Sequence, residues 1–330
     1  MIIEGDYVHT PALGQLEIMR NHVLQPANLL DRVIVPSGSF MMPTFSDVHL
    51  HAPQCLYQGT GLHLPLMQWL HEYAFKAEER LDADPQLAGK VYKRLVAQAG
   101  VRAFVGKLSM DKSTRPTYME TDAKASLEAA QAFCDPCVDA VSGLPSSRHA
   151  LVLSERGKHD MEVFAQHNLF TPHTIQVHCT FLDPPSLSRL AATCTAVAHY
   201  PLSNAYKFSA KPSRLREALG IGVRVGLGTD VAGGYLVDIM SAMRQTIAVS
   251  RMHEGTRIVG RSKGQEVLSV DWKEALLLAT KGGADELNLP AGCGMFSVGA
   301  PFDAHRWWCT GNVQNRRGMW VQGKSIGSFG

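Results

Sequence analysis

The segment Asp47-Val48-His49-Leu50-His51 carries the sharpest chemical signal in the chain. Side chains alternate along an extended strand, so His49 and His51 project from one face and can grip one metal ion together. Two other runs place a polar group at the end of an apolar strand: IQVHC carries His178, and VGLGTDVAGG carries Asp230 ahead of a glycine-rich turn. Taken alone, Asp230 reads better as the cap of a following helix. Taken with the histidines, it completes a set of imidazole and carboxylate donors suited to zinc or iron. An ion held there lowers the pKa of its bound water from about 15.7 to about 7, so the implied reaction class is hydrolysis. Such a site also needs a proton shuttle. Glu155 in LVLSE is placed for that role, with a solvated loop glutamate as the even alternative.

These groups must be presented by strands, and the pattern supplies them. Short β-type runs at 43–50, 101–109, 149–153, 174–179, 195–200 and 222–229 alternate with helical stretches. Pro65 suits a first helical turn ahead of LMQWLHEYAFKAEERL, and Pro85 does so ahead of Leu87, Val91 and Leu95. Apolar faces follow at 119–133, 185–193, 212–219, 236–252 and 272–287. The rhythm predicts an α/β fold, a (β/α) barrel with its site at the C-terminal rim of the strands. About six strand–helix units fit between residues 43 and 290, against eight in a closed barrel. The ends, 1–42 and 291–330, hold glycine-rich β-type runs that predict a small β-rich appendage built from both termini.

Composition narrows the partners. Lysine and arginine number 32 against 30 for aspartate and glutamate, with no block of like charge, which disfavours nucleic acid. No apolar run approaches the roughly 18 residues needed to cross a bilayer, and MIIEGDYVHT has no targeting pattern; the expectation is a cytoplasmic protein with no membrane partner. The seven cysteines are odd in number and scattered, which is no disulfide framework. Cys134 and Cys137 have CxxC spacing but no second pair at zinc-finger distance.

SDVHLHAPQ, LPLMQWLHEYAFKAEER, RAFVGKLSMD, the P-x-Y-x-E-T run and GLGTDVAGGY together resemble the guanine deaminases, zinc enzymes of the amidohydrolase superfamily. The resemblance spans roughly residues 40–290. It implies a metal-dependent amidohydrolase barrel, one zinc per chain, and hydrolysis of guanine to xanthine and ammonia by metal-activated water. It makes His49, His51, His178 and Asp230 the residues at the metal, and Glu155, His178 and Asp230 the catalytic groups. His51 and Gln54 would contact the substrate purine. HYPLSNA resembles the family's HCPxSN stretch, which puts His199, Ser203 and Asn204 near the pocket rim and Tyr200 where the family has cysteine. The resemblance also suggests a homodimer.

The chain departs from that family in definite places. A zinc-binding histidine is expected three residues before Glu155, where this chain has Val152. His149 lies at an odd offset and would need a bulge to replace it, and His159 would need the loop to fold back. A Gly-Thr-Thr-Thr strand expected before Val101 and a Pro-Arg-Phe strand expected before Leu151 are missing, which accounts for the two absent barrel units. Three readings stay open here: a guanine-hydrolysing enzyme, a catalytically silent relative, and an amidohydrolase acting on another aminated heterocycle.

Overall fold

The computed structural model describes residues 2–25, 32–94, 101–108, 115–134, 146–147, 160–206, 212–258, 267–308 and 316–328. Strands β1 (Ile2–His9), β2 (Glu17–Leu24), β3 (Arg32–Ile34) and β4 (Ser39–Pro43) come from the N-terminal end. β5 (Ser146–Ser147), β6 (Ile175–Val177), β7 (Ala196–His199) and β8 (Val225–Leu227) lie mid-chain, and β9 (Ala304–Trp308), β10 (Arg316–Val321) and β11 (Lys324–Ser328) close the chain.

The two ends do build one sheet. Its order is β11-β10-β9-β4-β1-β2, with β3 beside β1, and β4 pairs antiparallel with β9. Ile3, Tyr7, Met41, Ala304 and Trp320 form its buried face. β10 and β11 turn at Gln322 and Gly323, both at positive φ, the combination a two-residue hairpin of matching twist requires.

β5-β6-β7-β8 form a parallel sheet, the βαβ order expected from the alternating pattern. Ile175, Val177, Ala196 and Ala198 face the inner cluster, whereas Val197, Val225 and Leu227 meet the helices outside. The helices over that outer face have readable starts. Asp183 caps Pro184–Ala192 by accepting from the Ser186 N–H, and Asp271 and Glu274 form a reciprocal capping box for Trp272–Leu277. Leu187 and Leu190 are buried below the first of these, each side chain contributing about 1.5–3 kcal/mol by leaving water.

The strand expected over 43–50 is not one strand. Its first residue ends β4 in the terminal sheet, and residues 44–51 run on without forming a regular ladder. Thr44 N–H donates to Asp303 O and Phe45 N–H to His305 Nε2, which anchors the departure from the terminal sheet. The segment then meets β8 through Val48 N–H to Leu227 O at 3.1 Å. The ladder breaks because the His49 and Thr229 N–H groups are taken by the Asp47 side chain. Residues 101–108 are irregular as well, since among the described residues no strand lies alongside to pair with them. β5 was not expected, because two serines carry no β pattern. The 149–153 run, Val152, Glu155, His149, His159 and Cys137 lie outside the described residues. No helix among the described residues is long and apolar enough to cross a membrane.

Candidate metal centre

Three backbone bonds bring two distant segments edge to edge: Val48 to Leu227, Asp230 N–H to His49 O at 2.8 Å, and His51 N–H to Val231 O at 3.0 Å. The close approach needs Gly228, where a Cβ would stand 3.1 Å from the His49 backbone. His51 holds an extended backbone conformation, so His49 and His51 present their rings to one side as alternation requires. Their Nε2 atoms are 3.1 Å apart. Asp230 Oδ1 stands 3.3 Å from one and 3.4 Å from the other.

Among the described residues these three are the group whose donor atoms can share an ion. A tetrahedral ion with bonds of about 2.0–2.1 Å separates its ligands by roughly 3.3–3.4 Å, and the observed triangle has nearly those edges. The donors also have the right chemistry, two imidazoles and one carboxylate. His49 and His51 line a cavity of ≈ 1110 Å³, larger than a purine requires.

The pattern of the amidohydrolase family matches residues 147–325, more than half of the chain. The chain belongs to the amidohydrolase family. A probable guanine deaminase of Schizosaccharomyces pombe is 26% identical over 448 residues, covering 99% of this chain and 84% of that protein. An alignment of that length leaves more than a hundred of its positions opposite gaps in a 330-residue chain, in line with the missing blocks. Guanine deaminase of Mus musculus is 26% identical, covering 92% of this chain and 85% of its own. The fold is that of the crystal structure of guanine deaminase from C. acetobutylicum with bound guanine, at a TM-score of 0.85 and 19% identity over 98% of this chain and 99% of that one. A zinc-bound adenosine deaminase from Xanthomonas campestris superposes with a TM-score of 0.78 at 18% identity, over 98% of this chain and 92% of that one.

In this amidohydrolase the remaining expected residues take separate places. His178 follows β6 at positive φ and stands beside the triangle rather than in it, its ring centre 6.5 Å from that of His49. Its Nδ1 meets Asn204 Oδ1 at 3.0 Å, and the Asn204 amide nitrogen donates to His178 O, so the proton of the neutral ring sits on Nδ1 and Nε2 is the acceptor nitrogen. Burial pulls the His178 imidazole down to about 4 against the attraction of Asp230, so the ring is neutral at neutral pH. Burial alone would raise Asp230; hydrogen bonds from His49 and His51 override it and hold the carboxyl well below the usual range.

Gln54 is placed differently from the expectation of an open purine contact. It is buried, its Oε1 accepts from the Ala232 N–H at 3.1 Å, and its Nε2 donates to Glu78 Oε1 at 2.9 Å. The amide therefore ties the turn after Asp230 to the Phe75–Ala83 helix. His199 is buried beside Ser213, its Nδ1 3.0 Å from the Ser213 hydroxyl.

Sequence reasoning gave no role to Asp47, Thr229 or Tyr200. Asp47 Oδ1 accepts from the Thr229 and His49 N–H groups and Oδ2 from the Thr229 hydroxyl. Burial outweighs these bonds and pushes the Asp47 carboxyl up to about 6. Tyr200 stacks on His49 at 5.0 Å and meets His178 edge-on at 4.6 Å, while its oxygen accepts from the His178 N–H at 3.0 Å. Alternation held the signal for Asp47, which is two residues before His49; no sequence signal points to the Tyr200 contacts.

Proposed function

We propose that this chain is a zinc-dependent aminohydrolase that converts guanine and water into xanthine and ammonia. The His49–His51–Asp230 triangle carries the reading, and the similarity to guanine deaminases supports the substrate. The nitrogen-and-oxygen donor set supports zinc. A bound zinc ion supplies Lewis acidity that makes water a nucleophile at neutral pH.

The chain's own groups divide the remaining work. Asp230, ionised and buried, accepts the proton of the attacking water at the oxygen facing the histidines. His178, neutral and fixed by Asn204 with its proton on Nδ1, polarises the attacking water by accepting its hydrogen at Nε2. His51 belongs to both the metal and the substrate wall, Gln54, expected to contact the purine, acts through its tie to the Ala232 turn, and Glu155 relays a proton to the ring nitrogen. The catalytic unit in this reading is 43–290, flanked by 1–42 and 291–330, in a cytoplasmic homodimer.

The test is turnover beside metal content. Purified chain should carry about one zinc per molecule and release xanthine and ammonia in equal amounts from guanine, and His49→Ala should lose both properties. Zinc retained without xanthine would mark a silent relative, and ammonia released only from another aminated heterocycle would move the substrate assignment.

A further inference from the structure

Asp47 is half-buried on the cavity wall, carries two oxygens with four lone-pair sites, and lies outside the group of three metal donors. Among the described residues its hydrogen bonds run along the seam between the two ligand-bearing segments. Oδ1 accepts from the His49 N–H at 3.2 Å and from the Thr229 N–H at 3.0 Å; Oδ2 accepts from the Thr229 hydroxyl at 2.5 Å. Asp47 and Thr229 are 182 positions apart in sequence. One partner thus adjoins the two histidines and the other adjoins Asp230.

The main chain alone does not hold this seam. Where a regular ladder would pair the His49 and Thr229 N–H groups with carbonyls, the carboxylate takes both. A charged acceptor forms stronger bonds than a carbonyl, and a buried N–H left without its acceptor costs about 1–3 kcal/mol. The side chain thus adds to the three main-chain bonds, Val48 to Leu227, Asp230 to His49 and His51 to Val231, that hold Asp230 Oδ1 opposite the two Nε2 atoms.

We propose that Asp47, acting with Thr229, is the positioning residue of the metal centre: it staples the His49–His51 segment to the Asp230 segment and so sets the affinity for the ion. The inference rests on the metal reading above. It implies that the triangle is assembled by one seam. Supporting groups around metal ligands typically govern affinity by about 10–100-fold.

Cobalt(II) titration of the full metal-free chain, followed by its visible absorption and by chelator competition, tests this without turnover. Asp47→Asn, which puts an NH2 group against donors, should weaken cobalt binding about 10–100-fold and alter the absorption band. Thr229→Val should weaken it less, and Thr229→Ser, which keeps the hydroxyl, should bind as the parent does. Thr246→Val serves as control, because it removes a buried hydroxyl bonded to Ala242 O in the Ile239–Ile258 helix; it should lower the melting temperature and leave cobalt affinity unchanged. Asp47→Asn binding within threefold of the parent overturns the inference, as does equal weakening by Thr246→Val. If Asp47→Asn does not fold, the contrast between Thr229→Val and Thr229→Ser decides: equal affinities overturn the staple. A parent chain that takes up neither cobalt nor zinc overturns the metal reading and the staple together, whereas a metal-binding parent with an unaffected Asp47→Asn overturns the staple alone.

Discussion

The Ser203 hydroxyl donates to Asp230 Oδ2 at 2.5 Å, on the oxygen opposite the one that faces His49 and His51. The carboxylate is thereby divided, one oxygen for the metal and the attacking water, the other for a fixed donor. Gly233 permits the arrangement, since a Cβ there would stand 2.8 Å from the same oxygen. Ser203→Ala leaves all three metal donors in place but frees the carboxylate to rotate. We expect zinc content to stay near the parent value, KM for guanine to change little, and kcat to fall about 10–100-fold. Steady-state kinetics beside metal analysis checks this, and loss of zinc in the variant would show that Ser203 serves binding instead.

Tyr200 contacts both His49 and His178, so its two functions can be separated. Tyr200→Phe keeps the ring packing and loses only the bond from the His178 N–H, at a cost in stability of about 1–3 kcal/mol. Tyr200→Cys also removes the ring and should cost more, about 3–5 kcal/mol, as large-to-small core changes do. Denaturant unfolding of the two variants measures the difference. Equal losses would mean that the ring contributes nothing beyond its hydroxyl.

The legible part of the site was the part set by local periodicity. His49 and His51 share a face because strands alternate, and Asp230 gained meaning only beside them. The expected 43–50 strand failed for a reason its apolar run does not reveal: the Asp47 carboxylate competes with the ladder for N–H groups. The division of Asp230 between Ser203 and the histidines depends on a left-handed backbone at Asp230 and on a partner 27 residues away, neither of which a pattern encodes. Gln54 was recognisable as a residue near the site. Its use as a buried tie between Ala232 and Glu78 required tertiary contacts. For the fold, hairpin, capping and βαβ signals were all local, whereas the pairing of β4 with β9 joins segments from opposite ends of the chain.

Glu286 stands in the packed interior against Gly226 of β8, with neither carboxylate oxygen hydrogen-bonded in normal geometry. Burial pushes its carboxyl well above the usual range, and Gly226 and Arg224 offset this only in part. Because the folded state favours the protonated form, the group's contribution is fully present below about pH 4.5 and is lost as pH rises towards the folded value. The slope cannot exceed about 1.4 kcal/mol per pH unit. Glu286→Gln keeps the shape and removes the charge, so it should be near neutral at pH 4 and stabilising at pH 8. Chemical denaturation at the two pH values tests the sign, and a variant less stable than the parent at pH 8 would mean the ionised carboxylate has a partner.

His305 predicts the opposite slope. Its ring is buried between Phe45 and Trp307, and its Nε2 accepts from the Phe45 N–H at 3.0 Å, which places the proton of the neutral ring on Nδ1. Burial, helped by the Arg316 charge, pulls the imidazole down to about 3. The fold thus favours the neutral ring, and this contribution is complete above about pH 6.5 and lost as pH falls towards 3. His178 and His199, both pulled down to about 4 by burial, titrate in the same window. These three histidines should therefore lower the parent's stability between pH 6.5 and pH 4, against the opposite slopes of Glu286 and Asp47. His305→Gln supplies a carbonyl for the Phe45 N–H but cannot take up a proton, so its loss over that interval should be shallower by up to about 1.4 kcal/mol per pH unit. Urea unfolding at half-unit steps of pH gives both slopes; equal slopes would show that His305 is already protonated, or reaches water, in the folded protein.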